Sequence, residues 1–429
     1  MTIRQRLAAS RMLRPLRRRD FALLSAGSVA SLIGDGFFFV ALAWQVYTIS
    51  NVPTALSIVF LAISIPNVLL VLVGGVFADR YDRRKLMVAA DLVRAAALGA
   101  IAVLSASGEL ELWQIAGLVV FVGAGDAFFN PASTALLPDV VPDEDLPAAN
   151  AVAGIYRPIM VRMVGPALAG LVVAGVGPAP AFAVDAVSFL VSALAIWSIR
   201  TRPAARAVVS HSVRSTVAEI SEGVRYARRT PWIWATLLSA MFSLLVFIGP
   251  VEVLVPFVIK NKLMLGPEAL GLIFATGGVG SLVTSVLIGV FGLPRRRVTV
   301  MYIAWAFGVG ATALYGAMSS IWQALVISFM LQASFMLGQV IWTTMLQQLV
   351  PRALLGRISS LDWLMSIGLV PVSYALTGPV SGALGPDVTL IAAGLVGALF
   401  MGGLLFVPGV RDPERIPGPA AEAAQAGSG

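Results

Sequence analysis

The stretch from Gly74 to Val88 reads GGVFADRYDRRKLMV. Six of the seven residues from Asp79 to Lys85 are charged, and both flanks are apolar. Bilayer hydrocarbon is about 30 Å thick, and ~20 apolar residues of helix cross it. Residues 53–77 and 86–107 both meet that length. A dense charged turn between two such runs is a loop at a membrane surface.

Outward from this loop the same alternation continues. The 429-residue chain is 58% hydrophobic and 12% charged, about half the charged share of a soluble domain. Spans are expected near 20–49, 53–77, 86–107, 111–137, 148–175, 179–199, 231–259, 268–292, 298–318, 320–347, 358–384 and 388–409. The 41 glycines and 25 prolines suit helices that cross lipid. Runs this continuous do not match the alternating segments of about ten residues that build a membrane barrel. The first run is too long for a cleavable signal, contains Asp35 and lacks a small-residue cleavage site. The expected fold is an all-α membrane protein of twelve transmembrane helices.

Lys and Arg collect on one side. Seven arginines lie between Arg4 and Arg19, and Arg80, Arg83, Arg84 and Lys85 follow span 2. Seven more lie from Arg200 to Arg229, three from Arg295 to Arg297, then Arg352, Arg357, Arg411 and Arg415; the opposite loops hold Lys260 and Lys262. Such asymmetry places the basic side, and with it both termini, in the cytoplasm. The net charge of +8 thereby points to anionic lipid at the cytoplasmic face, not to nucleic acid. The segment 1–19 is expected as a basic arm on headgroups. The segment 200–230 is expected as a cytoplasmic linker, with Val213, Val217, Ile220 and Val224 on one face of an amphipathic interfacial helix. The single histidine, His211, is expected as a solvated loop residue, and 411–429 as a disordered cytoplasmic tail.

The halves look related. GGVFADRYDRRKLMV is echoed by IGVFGLPRRRVTV after span 8, and VVPDEDLPAANAV before span 5 by LVPRALLGRISSL before span 11. Gly75 to Gly289 and Pro142 to Pro351 are offset by 214 and 209 residues, close to half the chain. Two six-helix bundles, 20–199 and 231–410, follow. Duplicated bundles of this kind characterise transporters, with substrate bound between them near mid-membrane.

With these motifs the chain resembles the major facilitator superfamily over its whole length. Gly75-x-x-x-Asp79-Arg80-x-Asp82-Arg83-Arg84-Lys85 is similar to that family's loop 2–3 pattern, with Asp82 where the family has a second glycine. The resemblance implies that Gly75, Asp79, Arg80, Arg83 and Arg84 form the inner gate and that Asp79 latches onto the start of span 11. Gly75 would permit close helix approach. The stretches RRRDFALLSAGSVASLIGDGFFFVALAWQVY and LLPDVVPDEDLPAANAV look like the enterobactin, macrolide and tetracycline exporter branch. Gly165-Pro166-x-x-x-Gly170 is similar to the antiporter motif in span 5 but has one glycine where that motif has two. The span 4 arginine of many drug antiporters is absent.

Ionisable groups at membrane depth mark substrate and ion pathways. Asp35, Asp126, Arg157, Arg162, Asp185 and Glu252 qualify. At 1.5 Å per residue, Asp35 and Arg162 both lie roughly 21–23 Å from the cytoplasmic ends of their spans, Asp126 ~16 Å and Arg157 ~13 Å. Pairs Asp35–Arg162 and Asp126–Arg157 are therefore expected, either fixing helix packing or joining proton coupling and substrate binding, with Asp35 the favoured coupling group. Glu252 stands between Pro250 and Pro256, which interrupt span 7, and has no cation in its own bundle. That suits it to bind a proton. Asp185 is expected as a structural group near the outer end of span 6. Asp91 and Arg94 are expected to join the loop 2–3 charges.

No phosphate-binding loop is present, so transport would draw on an ion gradient. Without cysteine and with one histidine, thiol chemistry, a Ser-His-Asp triad and a metal cluster lack their parts. No cofactor and no enzymatic activity are expected. The reading is a monomeric secondary transporter of the bacterial inner membrane that exports amphiphilic compounds, drugs or siderophore-like molecules, against protons. A lipid or lysolipid flippase on the same fold, or a non-transporting sensor or assembly partner, are the alternatives.

Overall fold

The computed structural model describes residues 13–200 and 213–414. Twelve of its helices are long and apolar enough to cross a membrane. Spans 1 to 6 are Arg19–Ile49, Pro53–Arg80, Arg83–Ser107, Leu112–Val140, Asp143–Val176 and Pro178–Trp197. Spans 7 to 12 are Pro231–Asn261, Pro267–Phe291, Arg297–Ala317, Ile321–Leu349, Leu354–Leu384 and Pro386–Leu404. Residues 1–12 of the arm, 201–212 of the linker with His211, and 415–429 of the tail lie outside the described residues.

Span 2 packs on span 4, span 1 on spans 5 and 6, and span 3 on spans 4 and 6. The second half repeats the scheme: span 8 packs on span 10, span 7 on spans 11 and 12, and span 9 on spans 10 and 12. The bundles meet where span 5 crosses span 8 and span 2 crosses span 11. Equivalent local devices recur. Gly177 (φ +86°) and Gly385 (φ +84°) turn the chain into spans 6 and 12, each followed by a helix-starting proline. Capping boxes Glu111/Gln114 and Ser320/Gln323 open spans 4 and 10. The fold is thus two pseudo-symmetric six-helix bundles.

Lipid supplies no hydrophobic drive between helices, so close packing depends on small residues. A Cβ at Gly123 would stand 2.0 Å from the Ile63 carbonyl oxygen, and one at Gly74 2.1 Å from that of Ala127. Spans 2 and 4 touch backbone to backbone there. Gly75, expected in that role, has open space around it, and its neighbour Gly74 makes the contact.

The loop after span 2 does not need a second glycine. Asp82 adopts φ −62° and caps span 3, its carboxylate accepting from the N–H groups of Arg84 at 2.9 Å and Lys85 at 3.4 Å. An aspartate at this position satisfies helix-end donors that a glycine would leave open. Arg83 is buried and bridges to Asp139 at 2.5 Å, pinning span 3 to span 4. Arg84 donates to the Trp197 carbonyl at 2.7 Å.

Two other expectations change. Arg14 and Arg18 of the basic arm are engaged by protein: Arg14 pairs with Glu144 at 2.8 Å, and Arg18 with Asp145 at 3.3 Å. The segment expected as tail from 411 is helical at Asp412–Glu414. There Glu414 accepts from the backbone N–H of Thr299 at 2.6 Å and its hydroxyl at 3.0 Å, capping span 9. The linker forms a helix, Val213–Arg229, whose Glu222 pairs with Arg357 at the start of span 11.

Gly74→Val should lower the melting temperature of purified protein by several degrees. It forces a side chain against backbone, an overpacking cost of about 1–3 kcal/mol. Gly75→Val should leave the melting temperature unchanged. Equal effects of the two substitutions would contradict the assignment of the contact to Gly74.

Candidate functional site

The first bundle holds a buried charge cluster. Arg94 of span 3 is 4% exposed and Asp91 is fully buried. The Arg94 guanidinium donates to Asp91 through one nitrogen and to Asp126 of span 4 through another at 2.7 Å. Its faces lie on the rings of Phe129, at 4.5 Å, and Phe189, at 4.1 Å. Delocalised charge and a planar fork make arginine the cation suited to such a niche. Gly125 makes the room: a Cβ there would be 2.6 Å from Arg94 Cγ. Asp185 of span 6 is buried, accepts from Ser188 at 3.2 Å and lies within the field of Asp35. Asp35 itself makes no ion pair among the described residues. It lines a cavity of about 470 Å³ with Arg94, Asp126 and Arg157. Four carboxylates therefore face one buried arginine and one exposed arginine. The acidic groups of this cluster outnumber its basic ones.

Between the bundles lies a smaller cavity of about 130 Å³, walled by Phe39, Phe60 and Val161 in common with the larger one. Arg162 of span 5 and Glu252 of span 7 both line it. Opposite in sign, they face this one cavity from the two bundles, with no direct ion pair between them among the described residues. The Tyr374 hydroxyl of span 11 donates to Glu252. Each of the two charges sits in a π-helical turn, Met160–Val164 and Pro250–Leu254, and each turn ends two residues before a proline, Pro166 or Pro256. The proline ring clashes with the carbonyl four residues back, and a widened turn relieves the clash. Such turns shift side-chain register and collect at functional sites.

The face opposite the arginines is closed. Tyr47 of span 1 donates to the Val253 carbonyl at 2.6 Å and accepts from Lys260. Asn51 and Asn261 exchange hydrogen bonds at 2.6 and 3.1 Å. Phe60 stacks on Tyr374 at 5.1 Å. Toward the arginine-rich face, no hydrogen bond joins the two bundles in this way among the described residues. Asp79 and Arg80 are exposed, and among the described residues Asp79 has no hydrogen bond or ion pair.

The five predicted intramembrane residues thus line two adjoining cavities, with partners other than those expected. Arg162 faces Glu252 and not Asp35; Asp126 binds Arg94 and not Arg157. Depth along a helix was readable from the chain, whereas the direction around it was not, because the π turn near Arg162 breaks the regular period. Arg94 and Asp91 belong to the intramembrane cluster and not to the loop. Asp185 packs against Gly34, next to Asp35. Arg94 was expected with the loop charges although it stands 11 residues into span 3. Tyr374, whose hydroxyl donates to Glu252, was not expected and left no signal in the sequence.

Comparison with known proteins follows this geometry. The family model described as transmembrane secretion effector, a major facilitator family, matches residues 10–415. The chain belongs to this family, which is one of transporters and not of enzymes. It is 26% identical to the multidrug efflux pump Tap of Mycolicibacterium fortuitum, over 91% of this chain and 95% of that protein. It is 23% identical to macrolide efflux protein A of Streptococcus pyogenes, over 87% of this chain and 92% of that protein. A crystal structure of a variant of the nucleoside transporter NupG shares the fold, with a TM-score of 0.69 at 12% identity over 90% of this chain and 98% of that one.

Removing one partner from a buried ionic network strands the others, at about 3–5 kcal/mol. Arg94→Gln should therefore cost most of the folded, monodisperse protein seen by size-exclusion chromatography. Adding Asp126→Asn should restore part of it. Wild-type yield of Arg94→Gln would show that Arg94 does not hold the cluster.

Proposed function

We propose that the protein is a secondary transporter of the bacterial inner membrane that exports amphiphilic small molecules from the cytoplasm in exchange for protons. The observation that carries this reading is the charge pair Arg162 and Glu252. The pair faces across the two bundles, on π-helical turns, in a cavity closed on one side of the membrane. The relatives named as multidrug and macrolide efflux pumps support export of drug-like compounds. The arginine-rich face is taken as cytoplasmic by the positive-inside rule. Both termini then lie there, and the cavity opens inward.

In this reading the empty transporter is held closed outward by the attraction of Arg162 and Glu252 and by the Tyr47 and Asn51 contacts. A substrate that enters between the charges weakens the attraction and frees the bundles to reorient. After substrate leaves on the outer side, a proton on Glu252 takes over its role and permits return. Asp35, beside Asp126 and Asp185 and in the path from the cavity to Arg94, is the second proton-binding group. Arg157 stands at the cavity wall as the accessible counter-charge to Asp35 and Asp126. Asp79 is free while the cytoplasmic side is open and latches onto span 11 when that side closes, with Arg80 and Gly75 at the same gate. The remaining basic residues of the arm and linker rest on anionic lipid, and the monomer is the working unit.

Gradient-driven efflux from proteoliposomes across a panel of amphiphilic compounds tests the reading. Wild-type protein should move at least one compound faster with an imposed proton gradient than without it. Glu252→Gln, which mimics the protonated acid, should flatten the pH dependence of that efflux while still binding substrate. A wild-type pH profile in Glu252→Gln would remove Glu252 from coupling. Flux restricted to lipids would make the protein a flippase, and ligand binding with no flux would make it a sensor.

A further inference from the structure

We propose that the second bundle contains a separate binding site for a protonated amine carrying an aromatic or apolar group. The site is a cavity of about 290 Å³ enclosed by spans 7, 9, 10, 11 and 12. Its walls include Trp305, Phe335, Trp342 and Trp363, with Asp362 and Ser243 as polar groups. It is distinct from the Arg162–Glu252 cavity, and binding there does not depend on how transport is coupled.

The charge comes from Asp362. Trp342 Nε1 donates to its Oδ2 at 3.1 Å, and among the described residues no cation pairs with it. The indole N–H of Trp305 is taken by the Phe335 carbonyl at 3.3 Å. With these N–H groups occupied, the rings offer π surface, which attracts cations most strongly when water is excluded. The rings are held in place by neighbours. Phe335 packs on Phe247 at 4.9 Å, and Trp342 on Trp232 at 5.7 Å. The second, independent observation is Ser243. It is 2% exposed, lines the cavity, and its hydroxyl has no hydrogen-bond partner among the described residues. A buried hydroxyl without a partner is costly, and an ammonium N–H would satisfy it.

The internal repeat shows what the cavity is built to take. In the first bundle Gly125 makes room for Arg94. In the second, Gly338 makes room for Trp305: a Cβ at Gly338 would stand 2.2 Å from the indole nitrogen. The two glycines are 213 residues apart and the two side chains 211, within the 209–214 offset that relates the halves. The first bundle fills its aromatic and carboxylate niche with its own guanidinium. At the same offsets Gln339 stands where Asp126 would be and Tyr302 where Asp91 would be, so the second bundle lacks the whole internal ion cluster; its carboxylate, Asp362, comes from span 11, and the cation comes from outside. Trp363 lines both this cavity and the larger central one. A bound amine is therefore one indole ring from the central cavity.

The test uses the full-length protein in detergent and N,N-dimethylbenzylammonium as probe. Binding is read from tryptophan fluorescence. Because the chain has no cysteine, Ser366→Cys places a single thiol on the cavity wall. We expect saturable binding and slowing of maleimide labelling of Ser366→Cys by the probe. Loss of the half-buried counter-charge, worth about 1.4 kcal/mol or more, should weaken binding at least about tenfold in Asp362→Asn. Wild-type affinity in Asp362→Asn, absence of saturable binding, or unchanged labelling of Ser366→Cys at saturating probe would each overturn the proposal. If Asp362→Asn does not fold, protection of Ser366→Cys decides alone.

Discussion

A charge moved from water into hydrocarbon costs several kcal/mol even after the protein relaxes around it, so each such charge needs a partner from the chain. This constraint organises the interior in two different ways. Arg94 is matched within its own bundle, between Asp91 and Asp126 and between two phenyl rings. That arrangement is rigid because every contact belongs to one packed unit. Arg162 is matched across the bundle interface by Glu252. Its partner is lost whenever the bundles separate, so the match depends on conformation. One matched charge holds a bundle together; the other is coupled to how the bundles sit.

Backbone contacts through glycine join spans within a bundle, as at Gly74 and Gly123, and also across the bundles: a Cβ at Gly271 would stand 2.3 Å from the Pro166 carbonyl oxygen, and one at Gly378 2.9 Å from Thr54 Cα. On the face opposite the arginines, hydrogen bonds from Tyr47, Lys260, Asn51 and Asn261 add to these; the Tyr47 bond is buried and the Asn51–Asn261 pair is exposed. The exposed pair can be traded for water at little net cost. Prolines and π turns place the breaks in helical register of spans 5 and 7 at Arg162 and Glu252 themselves.

Much of this was legible in the chain. Span number, the repeat and the loop 2–3 motif follow from hydropathy, spacing and the run from Gly75 to Lys85, since the length of apolar runs is a direct consequence of bilayer thickness. The five intramembrane residues were also readable, because a charge in an apolar run is conspicuous. Pairing was not. Matching depth put Asp35 opposite Arg162, yet partner choice depends on the angle around each helix, and a π turn shifts that angle without leaving a mark in composition. The contact made by Gly74 in place of Gly75 turns on a single residue of helix rotation. Asp82 as a helix cap was legible in its place directly before Arg83, the first residue of span 3.

The central claim is that the attraction of Arg162 and Glu252 holds the face opposite the arginines closed. Spin labels measure it directly. The chain has no cysteine, so pairs can be introduced without background at the exposed positions Ser107 and Ser319 on the closed face, and Ser198 and Arg296 on the arginine-rich face. In Glu252→Gln, electron–electron distance distributions should gain a second population, longer for Ser107–Ser319 and shorter for Ser198–Arg296. A single distribution, identical to that of the protein with Glu252 intact at both pairs, would contradict the account.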